Sequence, residues 1–421
     1  MHQINMVHLL RYIPRIAILA FLPHYHSFCV NVNTRNGCRS ELQSTNINDH
    51  EHDELLKKMI RFYGEDMVDS TTKRFYYYCR PFDGECVHDH MPIRDLAAAW
   101  DATKAIAFLD DIDDEMSSSI RQTLKDAVKC TLAHYLNSLD NIQQGSGVSL
   151  SEDILFEPSN IGHSALLLLG TCNALELNIF EENQTNEVKD AIDGLVRGIL
   201  SVQLDNGAFC SCFRNNEDFL QGIAFFPGEA MLALSTAYEY NILNTATHQL
   251  ILPAMQKAFR FYSDYHKTAD VDVNYNIWQV IAFSKLFGCL EAEPEKQREV
   301  ASYVLGMCQE ICQSKSWKYQ LSRGKSFYVN LQTIEIACSL DALSVGICVA
   351  ILQREDELAK LLTVHAKNAV YFLSWIQSQV PAGCVVGCGG LGFGGTCVLE
   401  QRLDVTGHAI SALVKLRKVL D

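Results

Sequence analysis

Two kinds of helical pattern take turns along this chain, and their alternation limits the fold more than any other feature does. One kind is small and apolar all round: Ala97-Ala98-Ala99-Trp100, Ser164 to Gly170, Gly228 to Leu234, Ile277 to Phe283 and His408 to Val414. The other carries charge along one face and falls at 186–203, 247–266, 295–314 and 354–378. A helix that is apolar on every side must be buried, whereas one with a charged stripe faces water on that side. Alternation of the two predicts an inner ring of helices wrapped by an outer ring, an all-α (α/α)6 toroid. Helical spacing of apolar residues places its members near 53–67, 93–109, 117–137, 161–177, 186–203, 227–240, 247–266, 274–288, 295–314, 331–350, 354–378 and 404–420. A superhelical repeat array would also alternate, but it requires repeats alike at a fixed period, and the chain has none. Strand signals are few. The aromatic run Phe75 to Tyr78 and the stretch Trp317 to Val329 are each suited to one short β-hairpin.

The chain has 421 residues, 48% of them hydrophobic, enough to bury a large core. Fifty acidic against 35 basic residues leave a formal charge of -15. A balance that acidic argues against nucleic acid and anionic membrane as partners, since both need a basic face. The expected organisation is a targeting or flexible leader over 1–52 and one toroid domain over 53–421. In the leader, Arg11 and Arg15 precede the short apolar run Ile16 to Leu22, too short to span a bilayer. This fits a secretory or organellar signal, although Pro14 and Pro23 suit neither cleanly. Without such a signal the protein would be cytoplasmic. Asn183-Gln184-Thr185 becomes a glycosylation acceptor only in the secretory case. No later segment reads as a stable membrane span. Sixteen cysteines are not disulfide-scaffold density at this length. Cys130, Cys172, Cys338 and Cys348 fall in apolar helical patterns and read as small buried hydrophobes, while Cys79 and Cys86 flank a turn and are placed to pair.

In a ring of this kind the inner helices run parallel, so their N-terminal ends gather at one mouth. Free N–H groups and a partial positive charge make such a mouth suited to acidic side chains and to hydroxyl-rich or anionic ligands. Polar residues do collect at those ends. Arg94 follows Pro92 at the first inner helix, and Gly162 and His163 open the second. Pro227-Gly228-Glu229 opens the third, Asn274, Asn276 and Trp278 the fourth, and Gln332 and Glu335 the fifth. Arg402, Asp404 and His408 open the last, the latter two four apart and so on one helical face. Each has a plainer structural reading. Glu229 would neutralise a helix N-terminus, His408 would be a core histidine, and Arg402 with Asp404 would be an ion pair. Convergence from different hairpins is what favours chemistry.

Three motifs add detail. Gln203-Leu204-Asp205-Asn206-Gly207-Ala208-Phe209 turns sharply at Asn206-Gly207 and resembles the glutamine-and-aromatic turns that staple hairpins in squalene-cyclase and protein-prenyltransferase toroids. Asp110-Asp111-Ile112-Asp113-Asp114-Glu115 matches both the Asp-x-Asp-Asp acid motif and the Asp-Asp-x-x-Asp magnesium motif of terpene cyclases. It falls between two helices at the far mouth, where a charge run usually forms a solvated loop. Cys384, Cys388, Cys397, Asp404 and His408 include residue types that bind zinc, but not at a spacing typical of a zinc site.

From residue 70 to 420 the chain resembles the six-hairpin, glycosidase-like toroid proteins. The resemblance rests on Phe75 to Tyr78, Arg94, Phe225-Phe226-Pro227-Gly228-Glu229-Ala230, Asn276-Ile277-Trp278, and Arg402 to Leu413. It implies sugar-processing chemistry, and the cysteine-rich loop Cys384 to Cys397 departs from the pattern. The leading expectation is an enzyme acting on a carbohydrate or similar polyhydroxylated substrate, with no cofactor. Glu229 and Asp404 would be its acid/base pair and Glu335 a reserve, as a glycosidic bond requires two carboxyl groups. With His408 as the base, lyase or epimerase chemistry would follow. Tyr275 and Trp278 would stack on a sugar ring, and Arg94, His163 and Arg402 would bind substrate. One alternative is an isoprenoid cyclase or transferase using Asp111, Asp113, Asp114 and magnesium, in a cavity lined by Phe75 to Tyr78, Trp100, Phe225 and Phe226. The other is a non-catalytic toroid that binds a glycan or protein partner.

Overall fold

A computed structural model describes residues 49–420 apart from 89–90, 112–114, 143–146, 156–157, 214–219, 221, 315–316, 318–320, 322–331, 380–388 and 393–399. Among the described residues thirteen α-helices carry the chain. They are α1 (Asp49–Arg61), α2 (Pro92–Asp110), α3 (Glu115–Leu136), the short α4 (Glu152–Leu155), α5 (Ile161–Glu176), α6 (Thr185–Ser201) and α7 (Phe226–Tyr240). After them come α8 (Thr245–Thr268), α9 (Val273–Cys289), α10 (Pro294–Gln313), α11 (Thr333–Leu352), α12 (Asp356–Ser378) and α13 (Leu403–Leu420).

Helices α2, α5, α7, α9, α11 and α13 each pack on the next, and α13 returns to α2, so the inner ring is closed. These are the apolar segments. Around them α3, α6, α8, α10 and α12 each pack on the inner helix that precedes them in the chain. The sixth outer position is filled from the other end of the sequence, because α1 packs on α13. Burial follows the same division: α5 is buried over Ile161–Thr171 without a break, whereas α6 and α8 bury only one face. The toroid expected from alternation is the fold.

Local rules place the ends of these helices. Asn160 caps α5 by accepting from His163 N, Asn244 caps α8 through Thr247 N, and Asp272 caps α9 through Asn274 N and Tyr275 N. Pro92 and Pro227 occupy first-turn positions. The Gln203 turn staples as the motif implies. Gln203 Nε2 donates to Gly207 O (3.1 Å) and to Ala254 O on α8 (2.9 Å), and Phe209 N donates to Tyr262 OH (2.9 Å). Gly207 sits at φ +103°, a conformation that side-chain-bearing residues rarely adopt.

Helix α11 corrects one expectation. It is long and apolar enough to cross a membrane, with Glu335 and Asp341 its charged residues. The ring accounts for this composition without a membrane, because α9, α12 and α13 surround it.

Strands are short. The aromatic run yields not an isolated hairpin but the middle of a three-stranded antiparallel sheet. In it β1 (Tyr78–Cys79) pairs with β2 (Cys86–Val87) on one side and with β5 (Gln401–Arg402) on the other. A two-stranded hairpin is marginal in water, and the third strand supplies the missing ladder. A second hairpin joins β3 (Leu139–Asn141) to β4 (Val148–Leu150). Most of Trp317 to Val329 lies outside the described residues. Cys79 and Cys86 are joined as a disulfide that closes the β1–β2 turn. Replacing both by Ser is expected to lower stability by about 2 kcal/mol, in the range for a short loop. Urea unfolding of the double variant tests this. Unchanged stability, or no response of the native protein to reductant, would contradict it.

Candidate active site

The N-terminal turns of the inner helices meet at one end of the ring. Arg94 on α2 reaches Asp404 on α13, and Gly162 on α5 lies against Glu229 on α7. The β5 strand delivers Arg402 to the same place: Tyr78 pairs with Arg402, and Leu403 N donates to Tyr77 O (2.9 Å).

Asp404 is the most heavily bonded residue at this mouth. Arg402 grips it bidentately, Nε to Oδ1 at 3.0 Å and Nη2 to Oδ2 at 2.7 Å, and Val405 N donates to Oδ1 at 2.9 Å. Arg94 Nη1 donates to Oδ2 as well. Burial alone would raise the carboxyl pKa, but Arg94 and Arg402 outweigh it and hold Asp404 below the usual carboxylate range. The phenol of Tyr77 accepts from Arg402, and its ring stands 4.9 Å from the Arg402 guanidinium carbon and 5.4 Å from that of Arg94. Both oxygens of Asp404 are occupied, so it is an anchored anion rather than a base poised to take a proton. Arg94, whose side chain is 23% exposed, is the member of this cluster open to the mouth.

Glu229 is the opposite case. It is buried in the first turn of α7, and its Oε2 has no hydrogen-bond partner. Burial pushes its pKa up to about 8, with Arg94 partly offsetting this, so the group is a neutral acid at pH 7. Gly162 makes the space for it. A Cβ at 162 would stand 2.7 Å from Glu229 Oε2 and 2.7 Å from Phe226 Cδ1. Gly162→Ala is therefore expected to cost about 1–3 kcal/mol, as overpacking does. A thermal melt equal to the native one would show that the carboxyl does not occupy this place.

The other candidates divide. Trp278 on α9 stacks on Trp100 of α2, ring centres 6.3 Å apart, and meets His408 of α13 edge-on at 6.3 Å. Since α2 and α9 stand opposite one another in the ring, this contact crosses the axis and closes it. His408 is half-buried and, with Arg94 and Arg402, helps to lower the Asp404 pKa. Glu335 is half-buried in the first turn of α11, on the side of Cys338 and Asp404. His163 is buried in the first turn of α5. Tyr275 is not brought to the mouth. Its hydroxyl donates to Tyr262 O (2.8 Å) and its ring packs against Tyr265 and His266, so it faces outward to α8.

The Asp-rich run lies at the other end. Asp110 ends α2 and accepts from Arg121 (2.9 Å), and Asp111 caps that helix, while Asp113 and Asp114 lie outside the described residues. Cys384, Cys388 and Cys397 also lie outside them, and no group of three metal-ligand side chains occurs among the described residues. Two features had gone unremarked in the sequence: Tyr77 as a partner of Arg402, and Gln279, buried beside Trp278 with both amide atoms unpartnered. A polar residue inside an otherwise apolar helix was the available signal for Gln279.

A cavity of about 770 Å³ opens at the C-terminal ends of the inner helices, beyond the aromatic closure. Volume and chemistry thus favour opposite ends. At the N-terminal mouth, where helix N-termini converge, Glu229 Oε2 is buried without a hydrogen-bond partner. The cavity's floor lysines, by contrast, are already matched by aspartates.

No family model and no curated protein matches the chain in sequence. Solved structures do match in fold. The GH76A α-1,6-mannanase from Salegentibacter sp. HEL1_6 aligns over 87% of this chain and 99% of its own, at 10% identity and TM-score 0.54. An unsaturated glucuronyl hydrolase specific for heparin aligns over 89% and 98%, at 10% identity and TM-score 0.56. D-mannose isomerase aligns over 90% and 100%, at 12% identity and TM-score 0.52. Identities this low carry the fold and nothing finer. The chain shares with these proteins the fold of a closed α/α toroid.

Proposed function

We propose that the N-terminal mouth binds a carbohydrate or similar polyhydroxylated compound and performs acid/base chemistry on it without a cofactor. The observation that carries this reading is Glu229, a buried carboxyl held protonated beside Arg94 with one oxygen unpartnered. A neutral carboxylic acid near pH 7 suits proton donation to a leaving or carbonyl oxygen. Its counterpart is His408 rather than Asp404, because both Asp404 oxygens are held by arginines. Asp404 then serves to fix Arg94, and Arg94 orients an acidic or hydroxyl group of the substrate. An acid and an imidazole base favour epimerase, isomerase or lyase chemistry. Hydrolysis through a second carboxylate falls to Glu335. Structures of this fold include an α-1,6-mannanase in complex with α-1,6-mannotriose and a D-mannose isomerase, which supports a sugar as substrate class.

The test is a thermal-shift panel of uronic-acid oligosaccharides, neutral mannans and prenyl diphosphates with and without magnesium. A ligand at 100 times its dissociation constant stabilises by about 2.7 kcal/mol. Stabilisation by a sugar, weakened in Arg94→Ala, is the expected result. Stabilisation by a diphosphate alone, dependent on magnesium and lost in Asp111→Asn, would replace the reading with the isoprenoid one.

A further inference from the structure

Beyond the aromatic closure, all six inner helices line the C-terminal cavity. The lining runs from Leu169 to Leu177 on α5 and from Val345 to Gln353 on α11, a depth of about 12 Å at helical rise. Its volume of about 770 Å³ lies within the range of small-molecule sites. Apolar side chains make up about half of the lining, and polar or charged ones the rest.

The lysines of the lining are already paired. Lys104 Nζ donates to Asp101 Oδ1 (3.0 Å) and Lys415 Nζ to Asp341 Oδ1 (2.5 Å), with both aspartates behind the lining rather than in it. Lys285 Nζ donates to Glu239 Oε2, joining α9 to α7. An anionic ligand would compete with these carboxylates and a cationic one with the ammonium groups, so the pairs select against both. An ammonium has further N–H donors and a carboxylate further lone pairs, so a hydroxyl group adds to each pair without breaking it. The wall hydroxyls complete the pattern. Thr236 Oγ1 donates to Leu232 O (2.8 Å) and Ser284 Oγ to Val280 O (2.7 Å), which commits each proton to the helix behind and leaves the oxygen an acceptor. Asn173 is fixed as well, accepting from Tyr240 OH (3.2 Å) and donating to Thr103 Oγ1 (3.0 Å). The cavity therefore presents donors, acceptors and apolar surface together. A matching ligand is neutral, gives and accepts hydrogen bonds around its edge, and buries C–H surface.

We propose that the C-terminal cavity is a second, non-catalytic binding site that takes a neutral mono- or disaccharide. The sugar hydroxyls accept from Lys104 and Lys285 and donate to Thr236 and Ser284. The C–H faces of its ring lie on the aliphatic side chains between them, such as Leu232, Ile281 and Val345. This site is independent of the acid/base chemistry proposed for the N-terminal mouth.

Cys348 is the natural reporter, because it lines the cavity and is half-buried. Cys130, half-buried on the outer helix α3, is the control. The full chain is treated with N-ethylmaleimide at mildly alkaline pH, alone and with mannose, glucose, maltose, cellobiose, glucuronate or glucosamine. Labelling of each cysteine is followed by peptide mass spectrometry. At least one neutral sugar is expected to slow labelling of Cys348 by about fivefold or more at saturation, as exclusion from a filled pocket requires. Cys130 should be unaffected, and neither glucuronate nor glucosamine should protect. Thr236→Val keeps the shape and removes the acceptor, so half-protection should need about fivefold more sugar, the effect of one neutral hydrogen bond. Ser284→Ala takes its place if that variant does not fold. Arg94→Ala, at the other mouth, should leave the protection unchanged, which separates this site from the acid/base one. Protection by none of the neutral sugars, equal protection by the charged ones, or a Cys348 inert to the reagent in the free protein would overturn the proposal.

Discussion

Asp404→Asn is expected to destabilise the protein by about 3–5 kcal/mol, the usual result of removing one partner from a buried ion pair. The magnitude follows from what is left behind. Arg402 is itself buried and directs both Nε and Nη2 at this carboxylate, and Arg94 adds a third bond from another helix. An amide at 404 keeps the shape but not the charge, so two guanidinium groups lose their counter-ion. Replacing Arg402 by Met in the same chain should recover part of the loss, since it removes one of the orphaned charges. The pH dependence has a definite sign. Asp404 titrates below its unfolded value, so its stabilisation is present above that value and is lost as pH falls through the folded pKa. Urea unfolding of both variants at pH 7 checks the ranking. A loss under about 1 kcal/mol for Asp404→Asn would place the pair in the class of weak surface bridges and remove it as the anchor of the mouth.

Glu229→Gln is expected to reduce turnover by about 10²–10⁴-fold, the range for loss of a general acid, while leaving the fold as stable or more so. The two effects share one cause. The folded-state pKa of Glu229 is raised to about 8 from an ordinary value of 4.5, so the folded protein holds a proton that the unfolded chain releases between those pH values. Its contribution is fully present below pH 4.5 and is lost as pH rises towards 8, by up to about 1.4 kcal/mol per unit. Glutamine cannot ionise and so escapes the loss. The melting temperatures of the two proteins should be similar near pH 5, with the variant ahead at pH 8. Parallel curves from pH 5 to 8 would show that Glu229 is not the protonated acid the site requires.

How far the sequence carried the argument depends on whether a feature is local. The inner helices were legible because burial on all sides leaves only apolar residues to choose from, as in Ile161 to Thr171. Capping residues and the Gln203 staple were legible for the same kind of reason, since their partners follow from backbone geometry nearby. Arg402 and Asp404 could be paired on paper, being two apart. Arg94 could not be added to them, because only closure of the ring brings α2 against α13. That third contact puts a second arginine on the Asp404 carboxylate. The facing of Tyr275 was hidden for a related reason. Its place in the first turn of α9 follows from the helical pattern, but the side it faces depends on how α9 is rotated against α8. The axial contact between Trp100 and Trp278, which divides the ring in two, joins helices on opposite sides and has no sequence signature at all. The Asp101, Lys104, Asp341 and Lys415 cluster did leave one, as charged residues inside apolar helices.

Turnover of a defined sugar set, followed by proton NMR in deuterated water, tests chemistry at the N-terminal mouth most directly. The panel holds free mannose, α-1,6-mannotriose and an unsaturated uronic-acid disaccharide, each with native protein, Glu229→Gln and His408→Asn. The native chain is expected to change at least one of them and both variants to lose this activity. Acid/base exchange would also place solvent deuterium on a substrate carbon for epimerase, isomerase or lyase chemistry. Turnover that survives Glu229→Gln undiminished would contradict the account and move the chemistry away from the N-terminal mouth.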